Sequence, residues 1–428
     1  MKKVLRFALV GALILGAASC DDDDDNNPTP PPTSEVDGGT LSGGPFEFTI
    51  GDGIADNVSG ITLEGNVGES AQWVVTDADS NILELPENIE DVNFEEAGVG
   101  LCLIWNLSFN GTLQGAAVGN NAADIQGDFE LSNPIRVNRL YTIAGIVKNN
   151  ENFTSLLAAL QKAELDGVLD GEGTFTVFAP TNDAFDEFLG GLGLTLESVP
   201  KDVLTQVLLN HVIGTEVFSS ELTNSYVNNL ATFNGEDGKN LSTYINVDDG
   251  VKINGIATVT TPDVDATNGV VHIVDKVIPL PSVVTFAAAD PNFSSLVTAL
   301  TREMDFTYVE TLSTDNGTAP APFTVFAPTN DAFGAVLNEL GLNSLADIPT
   351  ETLSATLNTH VVAGANVRAS EVTAGDVTTL GGDITLGTDG GVTVTDQNDR
   401  TSTVVAADVQ AANGVIHAVD TVILPKLN

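Results

Sequence analysis

The stretch FTVFAPTNDAF occupies Phe175–Phe185 and recurs unchanged at Phe323–Phe333. It reads as a short apolar strand running directly into a helix. Thr181 and Thr329 stand where a threonine hydroxyl caps a helix N-terminus, followed by Asn182 and Asn330. Asp183, Asp186 and Asp331 fall in the first turns, beside the positive end of the helix dipole. A second pair answers the first: NGVVHIVDKVIPLP at Asn268–Pro281 and NGVIHAVDTVILP at Asn413–Pro425. Between them lies a His-Val step, at Asn210–Val212 and Thr359–Val361. Order and spacing are kept, and the period is too long for a solenoid and right for one globular domain. The chain carries one domain twice, an arrangement suited to display and multivalent contact.

Working outward, the first copy is expected at 139–281 and the second at 282–427. In Asn152–Ala163 the residues Phe153, Leu156, Leu157, Leu160 and Ala163 share one helical face, and Asn292–Ala299 repeats the pattern. Pro200 suits the first turn of a helix over Lys201–Asn210, with Val203, Val207 and Leu208 inward. After His211 the pattern turns to strands at Leu241–Val247, Val251–Ile253, Ile256–Val264 and Val270–Ile278. The pairs Asp249-Gly250, Asn254-Gly255 and Asn268-Gly269 mark turns between them. Helices first and strands after predict an α+β domain. In the second copy Asp389-Gly390 answers Asp249-Gly250, and Thr311–Pro322 reads as a longer, exposed loop.

Residues 36–136 read differently. Short apolar or alternating runs at Phe46–Ile50, Gly60–Leu63, Gln72–Val75, Leu101–Ser108 and Asp128–Leu131 predict a small all-β, sandwich-like module. Ahead of it, Lys2, Lys3 and Arg6, the apolar run Phe7–Leu15 and small residues up to Ser19 have the layout of a signal peptide over 1–19. The ending LGAASC resembles a bacterial lipobox, which makes Cys20 the lipidation site. Asp21–Asp25 follow at once and resemble the surface-export signals of bacterial lipoproteins. The rest of 20–35 is a Pro-rich stalk. With Cys20 lipidated, Cys102 has no partner, and its apolar run LCLIW predicts a buried free thiol. The 428 residues carry 59 Asp and Glu against 15 Lys and Arg, a net charge of −44, which argues against nucleic-acid binding.

The two signatures and the histidine between them resemble the fasciclin-like (FAS1) domain family, in both copies and in order. The resemblance implies a compact β-wedge with flanking helices, found in secreted and surface-anchored adhesion proteins. Animal members carry a Tyr-His pair linked to integrin binding. Asn210 and Thr359 stand in place of that tyrosine, so integrin binding is not carried over.

All four histidines, His211, His272, His360 and His417, fall in repeated motifs. Matching pairs admit a metal or acid–base reading, but placement favours structure. His272 alternates with Val270 and Val274 on a strand face, and His211 closes a helix where a ring can bond free carbonyls. Asp275 and Asp420 belong to the same closing motif. The string Asp77–Asn81 matches half of a calcium loop and then fails at Ile82 and Asn88, so a hairpin turn is predicted there. No cofactor and no catalytic set is assigned. The chain is read as an outer-membrane lipoprotein facing outward, touching the membrane only through its lipid. Its partners are read as extracellular-matrix or cell-surface glycan or protein ligands, in adhesion without catalysis. The alternative is a glycan-binding envelope lipoprotein serving polysaccharide capture. Replacing Cys20 with Ser is expected to release the protein from membrane fractions or block its maturation. Normal processing and partition of the Ser variant would refute the anchor.

Overall fold

The computed structural model describes residues 35–171 and 173–427. Cys20, Asp21–Asp25, the leader and most of the stalk lie outside the described residues. The N-terminal module comprises β1 (Thr40–Ser42), β2 (Phe46–Thr49), β3 (Thr62–Glu64), β4 (Ser70–Asp77), β5 (Ile82–Glu84), β6 (Gly100–Gln114), β7 (Gln126–Leu131) and β8 (Ile135–Leu140). The long strand β6 is its spine. β4 lies along one edge, while β8 and β7 share the other, pairing with its N-terminal and C-terminal halves. β2 and β5 extend this sheet, and β1 pairs with β3 as a separate ribbon. Cys102, Ile104, Val137 and Phe94 form one core, and Val74, Ile82, Leu107 and Ile125 form a second. The Asp77–Asn81 turn is the predicted hairpin: the Asp77 carboxylate accepts from the N–H groups of Asp79 and Asn81 at 2.9 and 2.8 Å.

One expected boundary shifts. β8 runs past Arg136 to Leu140, and Arg139 stands opposite both Phe48 and Gly100 in the sheet. Arg139 therefore belongs to the module, and the first repeat's own elements begin with its first helix.

That repeat comprises α1 (Ile143–Lys148), α2 (Thr154–Ala163), β9 (Phe175–Pro180), α3 (Asn182–Leu192), α4 (Lys201–Leu209), β10 (Val212–Ile213), β11 (Ser225–Thr232), β12 (Asn240–Asn246), β13 (Lys252–Ile253), β14 (Ala257–Ala266) and β15 (Gly269–Val274). The second comprises α5 (Val283–Ala289), α6 (Ser294–Leu300), α7 (Tyr308–Leu312), β16 (Phe323–Pro328), α8 (Asn330–Glu339), α9 (Thr350–Asn358), β17 (Val361–Ala363), β18 (Gly375–Thr379), β19 (Gly382–Gly387), β20 (Thr393–Thr395), β21 (Thr401–Ala411) and β22 (Gly414–Val419). Both thread one strand order, β10-β9-β15-β14-β13-β12-β11 and β17-β16-β22-β21-β20-β19-β18.

The FTVFAP strand is buried on both faces, which explains its almost unbroken apolar sequence. Val177 and Ala179 face the helices, in a core with Phe153, Leu160, Phe185 and Leu208. Phe178 faces the other way, into the wedge with Ile213, Ile245, Ile253 and Val274. The strand pairs in parallel with the closing strand, Gly269 opposite Phe175 and Gly414 opposite Phe323. Only glycine fits there. A Cβ on Gly269 would lie 2.0 Å from the Phe175 carbonyl oxygen, and one on Gly414 2.4 Å from that of Phe323.

Two further expectations are corrected. In α4 the inward residues are Leu204, Val207 and Leu208, whereas Val203 is 44% exposed, because Pro200 is the cap and the buried stripe starts one position later. The segment Thr311–Pro322 is not a wholly exposed loop. It begins within α7, buries Leu312 and Ala321, and hydrogen-bonds through Asn316 Nδ2 to Asn234 Oδ1 of the first repeat at 2.6 Å.

The repeats are fused. Tyr244, with Tyr226 packed beside it, joins the second repeat's core against Val283 and Phe286. The Tyr226 hydroxyl donates to the buried Asp290 carboxylate at 3.0 Å, and its ring meets Phe286 edge-on at 5.6 Å. Around this contact the Gln410 N–H donates to Ser242 Oγ at 3.0 Å and the Ala412 N–H to the Pro281 carbonyl at 2.7 Å. Lys239 pairs with Glu371 at 3.1 Å. The positions in the second repeat that match Tyr226 and Tyr244 hold Asp376 and Thr385, exposed and hydrogen-bonded to each other at 2.6 Å. Tyr226→Ala is therefore expected to cost about 2–4 kcal/mol and to lower one shared urea midpoint. Two transitions, with only the first displaced, would show that the repeats unfold separately.

Candidate functional site

The motif residues form matched pairs, and each has structural work. Thr181 Oγ1 accepts from the Ala184 N–H and Thr329 Oγ1 from the Ala332 N–H, both at 3.3 Å, starting α3 and α8. Asn182 Oδ1 accepts from the Ser155 N–H at 2.9 Å while its Nδ2 donates to the Glu151 carbonyl at 2.8 Å. Asn330 does the same with Ser295 and Pro291, at 2.8 and 2.9 Å. These side chains lock the start of one helix to the start of another. Asp183 and Asp331 lie exposed in the first turns, where the dipole favours a carboxylate. Asp275 Oδ1 accepts from the Thr258 N–H at 2.7 Å and Asp420 Oδ1 from the Thr403 N–H at 2.8 Å, latching the closing strand to its neighbour.

The histidines divide into two kinds. His211 Nδ1–H donates to the Val207 carbonyl at 2.7 Å, one turn back in α4, and Nε2 accepts from the Ile278 N–H at 2.9 Å. His360 repeats this with Thr356 and Ile423, at 2.7 and 3.0 Å. His272 carries the opposite tautomer. Its Nδ1 accepts from the Asp263 N–H at 3.1 Å, and Nε2–H donates to the Val217 carbonyl at 3.0 Å. His417 does likewise with Asp408 and Val367, at 3.3 and 2.9 Å. Each ring uses one nitrogen as an acceptor, so each is neutral, and neither nitrogen is free for a metal or a substrate proton. Burial drives the His211 and His360 pKa values down to about 4 and lowers those of His272 and His417. Among the described residues no three His, Cys, Asp or Glu side chains come together to hold a metal.

Several partners of these motifs were not singled out in the sequence. Asp263 and Asp408 adopt left-handed backbone, φ 59° and 61°, where the register of β14 and β21 slips, and this turns their N–H groups onto His272 and His417. The available signal was an Asp-Val recurring nine residues before each histidine. By sequence Asn268 reads as a turn residue before Gly269. Its Oδ1 accepts from the Ile143 N–H at 2.9 Å and its Nδ2 donates to the Leu169 carbonyl at 2.8 Å, tying α1 to the closing strand. Asn413 does so for Val283 and Leu312. Lys162 binds the carbonyls of Leu196, Glu197 and Val199, a task Arg302 shares in the second copy. Asn210 and Thr359, which stand where a tyrosine was sought, are buried.

The motifs thus build the frame. Concave surface open to solvent lies elsewhere. A cleft of about 920 Å³ lies where the repeats meet and is lined by Val203, Gln206, Asn234, Leu280, Asn316 and Ala412, among others. A second, about 540 Å³, opens beside β10 and β11 over Ile213, Leu222 and Val227.

The buried histidines give stability a pH signature. A ring held near pKa 4 in the fold and near 6.5 unfolded stabilises fully above pH 6.5, and that contribution is lost as pH falls toward 4. Each of His211 and His360 is expected to remove roughly 3 kcal/mol across that window. His211→Gln should flatten the dependence in equilibrium unfolding, and an unchanged slope would contradict the assignment.

The family match falls on both repeats. A model of the Fasciclin domain matches residues 151–281 and again 291–425. Protein sll1483 of Synechocystis sp. is 41% identical over 145 residues, 32% of this chain and 72% of that protein. Human periostin is 29% identical over 302 residues, covering 68% of this chain but only 32% of periostin. A solved FAS1 domain pair from the insect cell adhesion molecule Fasciclin I aligns over 63% of this chain and 92% of its own, at 19% identity and a TM-score of 0.37.

Proposed function

Because the chain belongs to the fasciclin family through both repeats, we propose that it is a cell-surface adhesion protein, a lipoprotein that contacts matrix or neighbouring surfaces without catalysis. The observation that carries this reading is that the chemistry repeated in both copies is used within each copy. The histidines, asparagines and acids of the motifs are spent on internal hydrogen bonds in both repeats, leaving shape and surface for recognition. The inter-repeat cleft is the favoured contact surface. Side-chain amides, threonine hydroxyls and apolar groups line it, with one cation and one carboxylate, Lys201 and Asp202, of opposite charge, and residues of both repeats contribute. Its lining suits uncharged polar ligands, since the chain's net charge of −44 opposes anionic ones.

Among the described residues no helix is long and apolar enough to cross a membrane. A lipid on Cys20 would supply the attachment, with Asp21–Asp25 directing it outward. The mature chain, probed on matrix-protein and glycan arrays, is expected to bind without altering what it binds. Its adhesion to anionic surfaces should strengthen as salt screens the repulsion. Val203→Asp, at an exposed position of the cleft, should weaken binding at least tenfold with little loss of stability. Full binding by that variant would move the contact away from the cleft, and turnover of the bound material would refute the non-enzymatic reading.

A further inference from the structure

The two repeats satisfy their buried polar groups almost completely. Among the described residues four buried side-chain atoms have no hydrogen-bond partner: Asp56 Oδ2, Arg139 Nε, Arg139 Nη1 and Asn254 Nδ2. Three of the four lie in the N-terminal module. Asn254 is neutral and bonds through its oxygen to the Tyr244 N–H at 2.7 Å. Asp56 can resolve its own burial by taking up a proton, and burial together with Glu95 and Asp52 raises its pKa in that direction. Arg139 has no such escape. A guanidinium stays charged at any pH a folded protein meets, and a buried charge without a counter-ion is strongly destabilising.

Arg139 is 4% exposed and projects from the inward face of β8, in line with the core residues Ile135 and Val137. No carboxylate among the described residues stands within 4.0 Å of it. Acids of the same module are engaged elsewhere: Asp77 with Asp79 and Asn81, Glu95 with the Gly51 and Gly53 N–H groups. The guanidinium is nonetheless within reach of solvent on one side. Nη2 points toward Gly100, opposite Arg139 in the sheet. Chain neighbours aside, a Cβ built on Gly100 would meet only that nitrogen within 4 Å, at 3.5 Å. Gly98 has nothing within 4 Å of the same position, and Val99 between them is exposed. The bare Gly98–Gly100 backbone thus leaves a notch of open space beside this charged donor.

We propose that Arg139 anchors an oxyanion-binding subsite in the N-terminal module, entered at the Gly98–Gly100 notch and built for a carboxylate, sulfate or phosphate group carried by a ligand. Nη2 offers such a group a charged donor at the opening, and the unpartnered Nε and Nη1 behind it leave the charge uncompensated until an anion arrives. In a chain this acidic, long-range charge repels anions, so the site selects a ligand that presents one oxyanion within a larger, mostly uncharged body.

The test uses the full mature chain and its Arg139→Met variant, which keeps the apolar stem and removes the charge. Melting temperatures are followed against sodium acetate, sodium glucuronate, sodium sulfate and sodium phosphate, each against sodium chloride of equal ionic strength. The expected result is a saturable rise in the wild type with at least one of these anions, absent in Arg139→Met. General salting by sulfate acts on both proteins and cancels in the comparison. The preferred anion separates a carboxylate ligand from a sulfated or phosphorylated one. Arg139→Met should melt no lower than wild type without anion, since it removes an unpaired buried charge. Should it fail to fold, Arg139→Lys serves instead, retaining the charge without the fork, with an anion midpoint raised at least tenfold. Equal responses in wild type and variant, or no saturable response in the wild type, overturn the assignment.

Discussion

The fold of each repeat rests on one parallel strand pair. The two signatures that define the repeat lie about ninety residues apart in the chain, yet they are hydrogen-bonded neighbours, β9 on β15 and β16 on β22. The glycine second in the second signature, Gly269 or Gly414, lets the backbones meet, because any side chain there would strike the carbonyl of the first phenylalanine. Once paired, the strands present one face to the helices and one to the wedge, and the remaining motif residues secure what converges on them. His211 ties α4 to the segment after β15, Asn268 ties α1 to its start, and His272 ties the bulge of β14 to the loop at Val217. The motif residues recur together because they brace a single junction.

The contact between repeats changes what duplication accomplishes. Two beads on a flexible tether would gain avidity through effective concentration alone. Here no tether separates them. The closing segment of the first copy runs to Pro281, Ser282 caps the first helix of the second, and two tyrosines of the first copy enter the second copy's core. The product is a packed double unit with a cleft lined by both copies.

Much of this was legible in the sequence, and the failures have physical causes. Strand-to-helix transitions at Pro180 and Pro328 and the caps at Thr181 and Thr329 follow from local rules that need only neighbours in the chain. What local rules could not supply were long-range partners. Asn268 resembles any Asn-Gly turn until the Ile143 N–H is seen 125 residues away. Lys162 looks like a solvated helix residue, yet it gathers three carbonyls of a later turn. Val203 was placed inward because α4 has apolar residues on more than one side, and its exposed flank opens onto the inter-repeat cleft. The end of the module at Leu140 was missed because Arg136 and Arg139 interrupt the apolar pattern, although the sheet includes both. A buried arginine is the kind of residue that pattern reading assigns to the surface.

The replacement of Tyr226 and Tyr244 by Asp376 and Thr385 also bears on assembly. A head-to-tail contact is heterologous, and copies that carried both halves of it would join without limit into filaments. The first repeat bears the aromatic half and spends it inside its own chain. At the matching edge of the second repeat, a carboxylate and a hydroxyl face solvent and bond to each other. Polymerisation through that edge would have to bury an acid against a helix. The difference that makes the copies non-interchangeable therefore closes the array at that face: the edge that stacks in the first copy ends the stack in the second.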